Sequence, residues 1–225
     1  KITSDGKKLA LDPRCYDRSA ADEEGSKLNV CADNIAEIWN DTHDTKATQI
    51  VFCDLSTPKK AFEDYVYGED FDVYNDLKYK LVQRGIPPEQ IAFIHEANSD
   101  LQKQALFDKV NAGTVRVLIG STEKCGAGTN VQERLIALHH LDTPYRPSDM
   151  QQREGRIIRQ GNTNKQIKIF TYVKERTFDS YSYQILENKQ RFISQIDRGD
   201  LTVREADDID ETTLTYAEIK AITAA

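Results

Sequence analysis

Five short apolar runs separated by helix-length segments constrain this chain more than any other feature. The runs are QIVFCD at 49–54, IAFI at 91–94, VRVLI at 115–119, LIALHHL at 135–141 and IKIFTYV at 167–173. Each is too short for a buried helix and rich enough in β-branched and aromatic residues to read as a buried strand. Between them, residues 70–84, 100–112 and 148–160 have helical length and punctuation. The second is capped by Asn98, Ser99 or Asp100, and the third follows Pro147. Strands that alternate with helices require crossover connections, which give a mostly parallel sheet with helices on its faces.

Upstream, Leu28, Cys31, Ile35 and Ile38 recur at helical spacing, so residues 26–40 are expected to form an amphipathic helix over the sheet. Downstream, Phe178, Tyr181, Ile185, Phe192 and Ile196 mark a long helix whose stripe packs as core. An acidic stretch and a short helix at 214–222 follow it. The expected organisation is a lead-in over 1–25, an α/β lobe over 26–176 and a helical extension with an acidic linker over 177–225. Because residue 1 is Lys, the chain is expected to be part of a longer polypeptide.

Composition excludes several function classes. No apolar stretch approaches the roughly 18 residues of a membrane span, and no signal peptide opens the chain, so the cytoplasm is the expected location. Cys15, Cys31, Cys53 and Cys125 form no CxxC pair and the histidines do not surround them. They are expected to be buried free thiols, with no metal site. The net charge of −7 argues against a freestanding basic DNA-binding module. Charge is nevertheless segregated: residues 144–176 hold eight Lys or Arg against three acids, and residues 197–211 hold seven acids against two arginines.

Two segments carry the chemistry. In QQREGRIIRQG, residues 151–161, a helix would place Gln152, Arg156 and Arg159 at i, i+4 and i+7 on one stripe. Guanidinium groups stay charged and grip phosphate oxygens in a planar fork. Arginines so spaced usually form a solvated face, but a mid-helix Gly155 costs about 1 kcal/mol relative to alanine and asks for a reason. In IGSTEKCGAGTNVQ, residues 119–132, a glycine-containing loop leaves a strand at the end where open α/β sheets bind ligands. Gly126 and Gly128 permit close backbone approach, and Ser121, Thr122 and Asn130 offer short polar groups. Nowhere does GxxxxGK[ST] occur, so the chain has no loop to cradle a triphosphate in the usual way.

In this order, the segments resemble the later motifs of superfamily-two helicases, especially Swi/Snf-type translocases. QIVFCDLSTP resembles motif IV, GSTEKCGAGTN motif V and QQREGRIIRQG motif VI, and LDTPYRPSDM resembles the stretch leading into motif VI. The match runs over about 48–173. It implies a RecA-like, P-loop NTPase-type second lobe that acts on DNA and completes a site whose ATP and Mg2+ are bound mainly by a first RecA-like lobe of the same polypeptide. The isolated lobe is then expected to be inactive.

By the same resemblance, Arg159 matches the arginine finger, Arg156 its companion near the γ-phosphate and Gln152 the polar residue opening the motif. Gly128 and Asn130, with Gly126, fall where motif V touches nucleotide; Asn130 stands where many helicases have aspartate. Thr122 and Ser121 fall at the nucleic-acid backbone, with Thr57 and His95 as further candidates. The flanks LDPRCYDRSAADEEGSKLNVCADNI and LTVREADDIDETTLTYAEIKA resemble very large helicase proteins of bacterial mobile elements and phages, which often carry an adenine-specific DNA methyltransferase region. That implies a DNA track, expected to be double-stranded, and a bacterial or phage source.

Two other readings compete. Asp142-Thr143-Pro144-Tyr145 resembles the catalytic tetrapeptide of DNA adenine methyltransferases and Cys125-Gly126-Ala127-Gly128-Thr129 a glycine loop for S-adenosylmethionine. Only one strand separates the two, however, where that family has two strand-and-helix units, and Thr143 replaces a proline. A non-catalytic DNA-binding scaffold is the other reading, and the retained Arg156 and Arg159 speak against it.

Overall fold

The computed structural model describes residues 2–125 and 130–197. Helix α1 spans Ile2–Leu11 and lies within the stretch expected as a lead-in. Helix α2, Lys27–Asp41, starts where the Ser26 hydroxyl accepts from the Asn29 backbone N–H at 3.3 Å. Strand β1 is Thr48–Phe52. Helix α3, Val73–Gln83, is capped by Asp72, and the chain turns away at Gly85 with φ +89°. After β2, Ile91–Phe93, helix α4 at Asp100–Asn111 opens with a capping box between Ser99 and Gln102.

Strands β3, Val117–Gly120, and β4, Leu135–His140, follow. Helix α5 is Pro147–Glu154, β5 is Lys168–Thr171, and α6 is Phe178–Asp197. The acidic stretch after α6, the helix expected over 214–222, and Gly126 and Gly128 lie outside the described residues.

The five strands form one sheet in the order β2-β3-β1-β4-β5, every neighbouring pair parallel. All of β1 is buried, as its central place demands. Period-2 alternation divides its side chains between two cores. Val51 joins Val117, Ile119 and the inner faces of α2 and α3, including Leu28, Ile35, Leu77 and Leu81. Ile50 and Phe52 join Leu118, Leu138, Phe107 and Val110 of α4, and Ile157.

The helix expected over 148–160 is shorter than its sequence suggests. It ends at Glu154, with the Gly155 N–H bonded to Gln151 O at 2.8 Å and single turns beyond it. Ile157 is the physical reason: it is 1% exposed, seated in the core with Ile50, Phe52 and Leu138, and this pulls the chain off the helical path. Gly155 is therefore a helix terminus rather than a mid-helix glycine, and no i, i+4, i+7 stripe forms. A Cβ there would lie 2.9 Å from Gln151 O, so the close turn explains the glycine.

Helices α1 and α6 pack together, with Phe178 so close to Gly6 that a Cβ on the glycine would be 2.8 Å from the ring. A buried ion pair from Lys27 to Asp179 ties the first turn of α6 to α2. The buried stripe of α6 includes Ile185 and Leu186, whereas Phe192 is 38% exposed.

Candidate functional site

Because the sheet is parallel, the segments that leave its strands collect at one edge, where crevices form. At the centre of this edge lies Arg153, a residue the sequence reading passed over. Its side chain is among the largest fully buried ones, at 1% residue exposure. Nε donates to Thr122 Oγ1 at 2.7 Å and Nη1 to the Asp142 carbonyl at 2.9 Å. Nη2 donates to Asp54 Oδ2 at 2.8 Å and to Asp142 Oδ1 at 3.0 Å. The guanidinium also lies over the Phe52 ring, 5.2 Å from its centroid.

The partners are bound to one another as well. Asp142 Oδ2 accepts from the backbone N–H groups of Asp54 and Leu55, at 2.5 and 2.9 Å. Asp54 in turn accepts from the Thr122 backbone N–H at 2.6 Å and from its hydroxyl at 2.8 Å. Three strand ends are thereby clasped by one guanidinium. Burial disfavours the Arg153 charge, but the Asp142 and Asp54 carboxylates outweigh it and raise the pKa above the ordinary arginine value. Removing one member of such a buried set costs about 3–5 kcal/mol, because it strands an uncompensated charge.

The signal for this clasp was present in the sequence. Asp54 and Asp142 each follow an apolar strand run directly, and Arg153 shares the buried side of its segment with Pro147 and Ile157. An arginine on a buried stripe demands carboxylate partners, and two acids stand at adjacent strand ends.

Beside the clasp is a cleft of about 530 Å³ lined by Thr57, His95, Ser121, Thr122, Lys124 and Gln152 together with three carboxylates, Asp54, Glu123 and Asp149. The four nucleic-acid candidates read from the sequence therefore meet in one place, and Gln152 joins them instead of the arginines. Thr57 is delivered by Ser56, which turns the chain at φ +54° while its hydroxyl accepts from the Val73 N–H at 3.1 Å. His95 stands edge-on to Tyr74, ring centroids 5.1 Å apart, and its Nδ1 is buried with no hydrogen bond among the described residues. Burial and then the Lys124 charge lower its pKa, keeping the ring neutral. Thr122 has both its donors directed at Asp54.

Arg156 and Arg159 lie apart from this cleft, on the turns that follow α5. Arg159 is exposed and donates from Nη1 to Asn130 Oδ1 at 2.9 Å, while the Asn130 carbonyl accepts from Asn111 Nδ2 at 2.7 Å. Arg156 is half-buried, and burial followed by the neighbouring Arg159 charge lowers its pKa. The turn is fixed from behind by Ile157 and by Asn162, whose Nδ2 donates to the carbonyls of Leu135 and Ile157 at 2.7 and 2.9 Å.

The Asp142-Thr143-Pro144-Tyr145 tetrapeptide offers no open carboxylate. Asp142 is 4% exposed and engaged by Arg153 and two backbone donors. Tyr145 lies beneath the Lys189 ammonium, 4.6 Å from its ring centroid.

A family model described as the helicase conserved C-terminal domain matches residues 36–161, more than half of the chain. Defense against restriction protein B of Escherichia phage P1 is 30% identical over 94 residues, which cover 42% of this chain and 4% of that protein. Among solved structures, the C-terminal part of the Fun30 ATPase domain aligns with a TM-score of 0.53 at 16% identity, covering 75% of this chain and 48% of that one. The helicase domain of Pyrococcus furiosus Hef aligns with a TM-score of 0.44 at 16% identity, covering 72% of this chain and 28% of that one.

Proposed function

Given that the chain belongs to the helicase conserved C-terminal domain family, we propose that it is the second RecA-like lobe of an ATP-driven DNA translocase, supplying arginines to a nucleotide held mainly by a first lobe elsewhere in the same polypeptide. The observation that carries this reading is the pair Arg156 and Arg159 on one turn. Two guanidiniums held close enough for one to depress the other's pKa gain from an anion placed between or against them, so the residues present fit a nucleotide phosphate. Asn130 holds Arg159 by its side chain, presenting the guanidinium at the surface instead of leaving it to sample rotamers.

When bound, ATP with its Mg2+ supplies the phosphoryl transfer. This chain's part is to bring positive charge to the γ-phosphate side, where arginine fingers raise turnover by about 10³ to 10⁵. The absence of any GxxxxGK[ST] supports the division of labour between two lobes. The cleft of Thr57, His95, Ser121, Lys124 and Gln152 provides neutral donors and one ammonium for a DNA backbone, a duplex track being the expected one, beside the Asp54, Glu123 and Asp149 carboxylates against which a phosphate must compete. The relative from phage P1 supports a place in a large phage or mobile-element protein.

The test is ATP hydrolysis by the chain alone and by the longer protein containing both lobes, each with and without duplex DNA. Negligible hydrolysis by the chain and DNA-stimulated hydrolysis by the longer protein are expected. Turnover by the chain alone, or no effect of DNA on the longer protein, would overturn the reading. S-adenosylmethionine binding to the chain, followed by calorimetry, would restore the methyltransferase alternative.

A further inference from the structure

Resting on that reading of the two sites, we propose that Arg153 is the positioning residue that couples them: its clasp on Asp54, Thr122 and Asp142 transmits phosphate occupancy of the cleft to the Arg156–Arg159 turn. Thr122 is where the two sites meet a common donor pair. Its amide and hydroxyl both donate to the Asp54 carboxylate, at 2.6 and 2.8 Å, an arrangement in which a carboxylate takes the two donors a backbone phosphate would take. Asp54 is 36% exposed at its side chain and lines the same cleft, so a phosphate entering there meets a negative charge and finds the nearest paired donors engaged.

Phosphate and Asp54 therefore compete for Thr122. When phosphate takes those donors, Asp54 is repelled, and Arg153 loses one of its two carboxylates while keeping Asp142, whose second oxygen remains fixed by the backbone of Asp54 and Leu55. The Arg153 guanidinium, fully buried, responds to that change by shifting toward the remaining carboxylate.

What moves with Arg153 follows from the backbone. Gly155 ends the helix two residues later, and the Arg156 N–H is bonded to the Arg153 carbonyl at 3.3 Å, so a displacement of Arg153 is passed directly to the turn that carries Arg156. Ile157, locked in the core, is a pivot that keeps the displacement local. The clasp is then a two-position element that both ligands bias, which is the physical requirement for coupling between sites.

The test uses the longer protein with both lobes. The affinity of a non-hydrolysable ATP analogue is measured with and without saturating duplex DNA, and the ratio compared between wild type, Arg153→Lys and Asp54→Asn. Lysine keeps the charge but cannot bridge three strand ends, and asparagine keeps the shape of Asp54 without its charge. The wild-type ratio is expected to be about 5-fold or more. It should collapse to within about twofold of unity in Arg153→Lys. In Asp54→Asn, DNA should bind more tightly than in wild type, because a competing anion is gone, while the ratio falls. A clasp that only stabilises the fold would weaken both affinities and leave the ratio unchanged, and that result, or weaker DNA binding by Asp54→Asn, would overturn the proposal. A wild-type ratio of unity would overturn the coupling proposal alone, whereas loss of DNA-stimulated hydrolysis by the wild-type longer protein would overturn the motor reading beneath it.

Discussion

Arg159 and Asn130 are joined by a 2.9 Å hydrogen bond from guanidinium to side-chain amide oxygen, which ties the last arginine of QQREGRIIRQG to the loop that follows β3. Asn130 is anchored in turn through its carbonyl to Asn111 at the end of α4. The arginine is thus oriented by a neutral acceptor, which holds it without neutralising the charge it would bring to a phosphate. An aspartate at this position would pair with the cation in competition with the ligand.

Asn130→Ala removes that tether without touching the core. Both side chains are exposed, so the stability of the chain should change by no more than about 0.5 kcal/mol. DNA-stimulated ATP hydrolysis by the longer protein should fall, though by less than in Arg159→Ala, because the guanidinium remains but is no longer held. Thermal unfolding and turnover, measured on the same variant, check both halves; an unfolding midpoint that drops with turnover would assign Asn130 a structural role instead.

Gly120 closes β3 where the Cys125 thiol folds back beneath it. A Cβ there would lie 2.4 Å from Cys125 Sγ and 2.8 Å from Ile94 Cγ2, both buried. Gly120→Ala should destabilise by about 1–3 kcal/mol through overpacking. Adding Cys125→Ala makes room and should recover part of that loss. Denaturant unfolding of the single and double variants decides, and a double variant no more stable than the single would show that the contact is not the cause.

His139 and His140 give the chain an acid-sensitive core. His139 is fully buried, bonded through Nδ1 to Tyr172 at 2.9 Å and through Nε2 to Gln49 at 3.0 Å, and burial, then the neighbouring His140, pushes its pKa down to about 3. Burial, then the Arg153 charge, lowers that of His140 to about 3 as well. Both rings are neutral in the fold, so below the ordinary value of 6.5 the unfolded chain binds protons that the folded chain refuses. Stability is therefore complete above that pH and is lost as pH falls toward 3, by about 1.4 kcal/mol per pH unit for each ring. Denaturation at pH 7 and pH 5 should show this slope in wild type and a shallower one in His139→Gln. Equal slopes would show that His139 does not contribute.

The sheet was legible because buried parallel strands must be short, continuous and apolar, and every run read as a strand holds one; the run at 167–173 was misread only in its burial, since β5 is the edge strand and its Lys168, Ile169 and Thr171 are exposed. Helices α2, α3 and α4 were legible to within a few residues because Ser26, Asp72 and Ser99 cap them and their apolar spacing is regular. Helix α1 was not, since Gly6 weakens its propensity and only Ala10 and Leu11 are buried among its described side chains. Its position comes from packing against α6, which local sequence does not encode.

The segment from Gln152 to Arg159 misled for a related reason. Its spacing fits a helical stripe, but burial of Ile157 outweighs helix continuation, so Gln152 faces the cleft while the two arginines share a turn. Arg153 was overshadowed by those arginines; its partners Asp54 and Asp142 lie 99 and 11 residues away in sequence, and only the strand order brings them together.

Arg159 is proposed to complete a nucleotide site held mainly by another lobe. The most direct measurement is the steady-state rate of ATP hydrolysis, at saturating duplex DNA, by the longer protein with Arg159→Ala. A fall of about 10³-fold or more with DNA affinity retained is predicted. Hydrolysis at the wild-type rate would contradict the assignment.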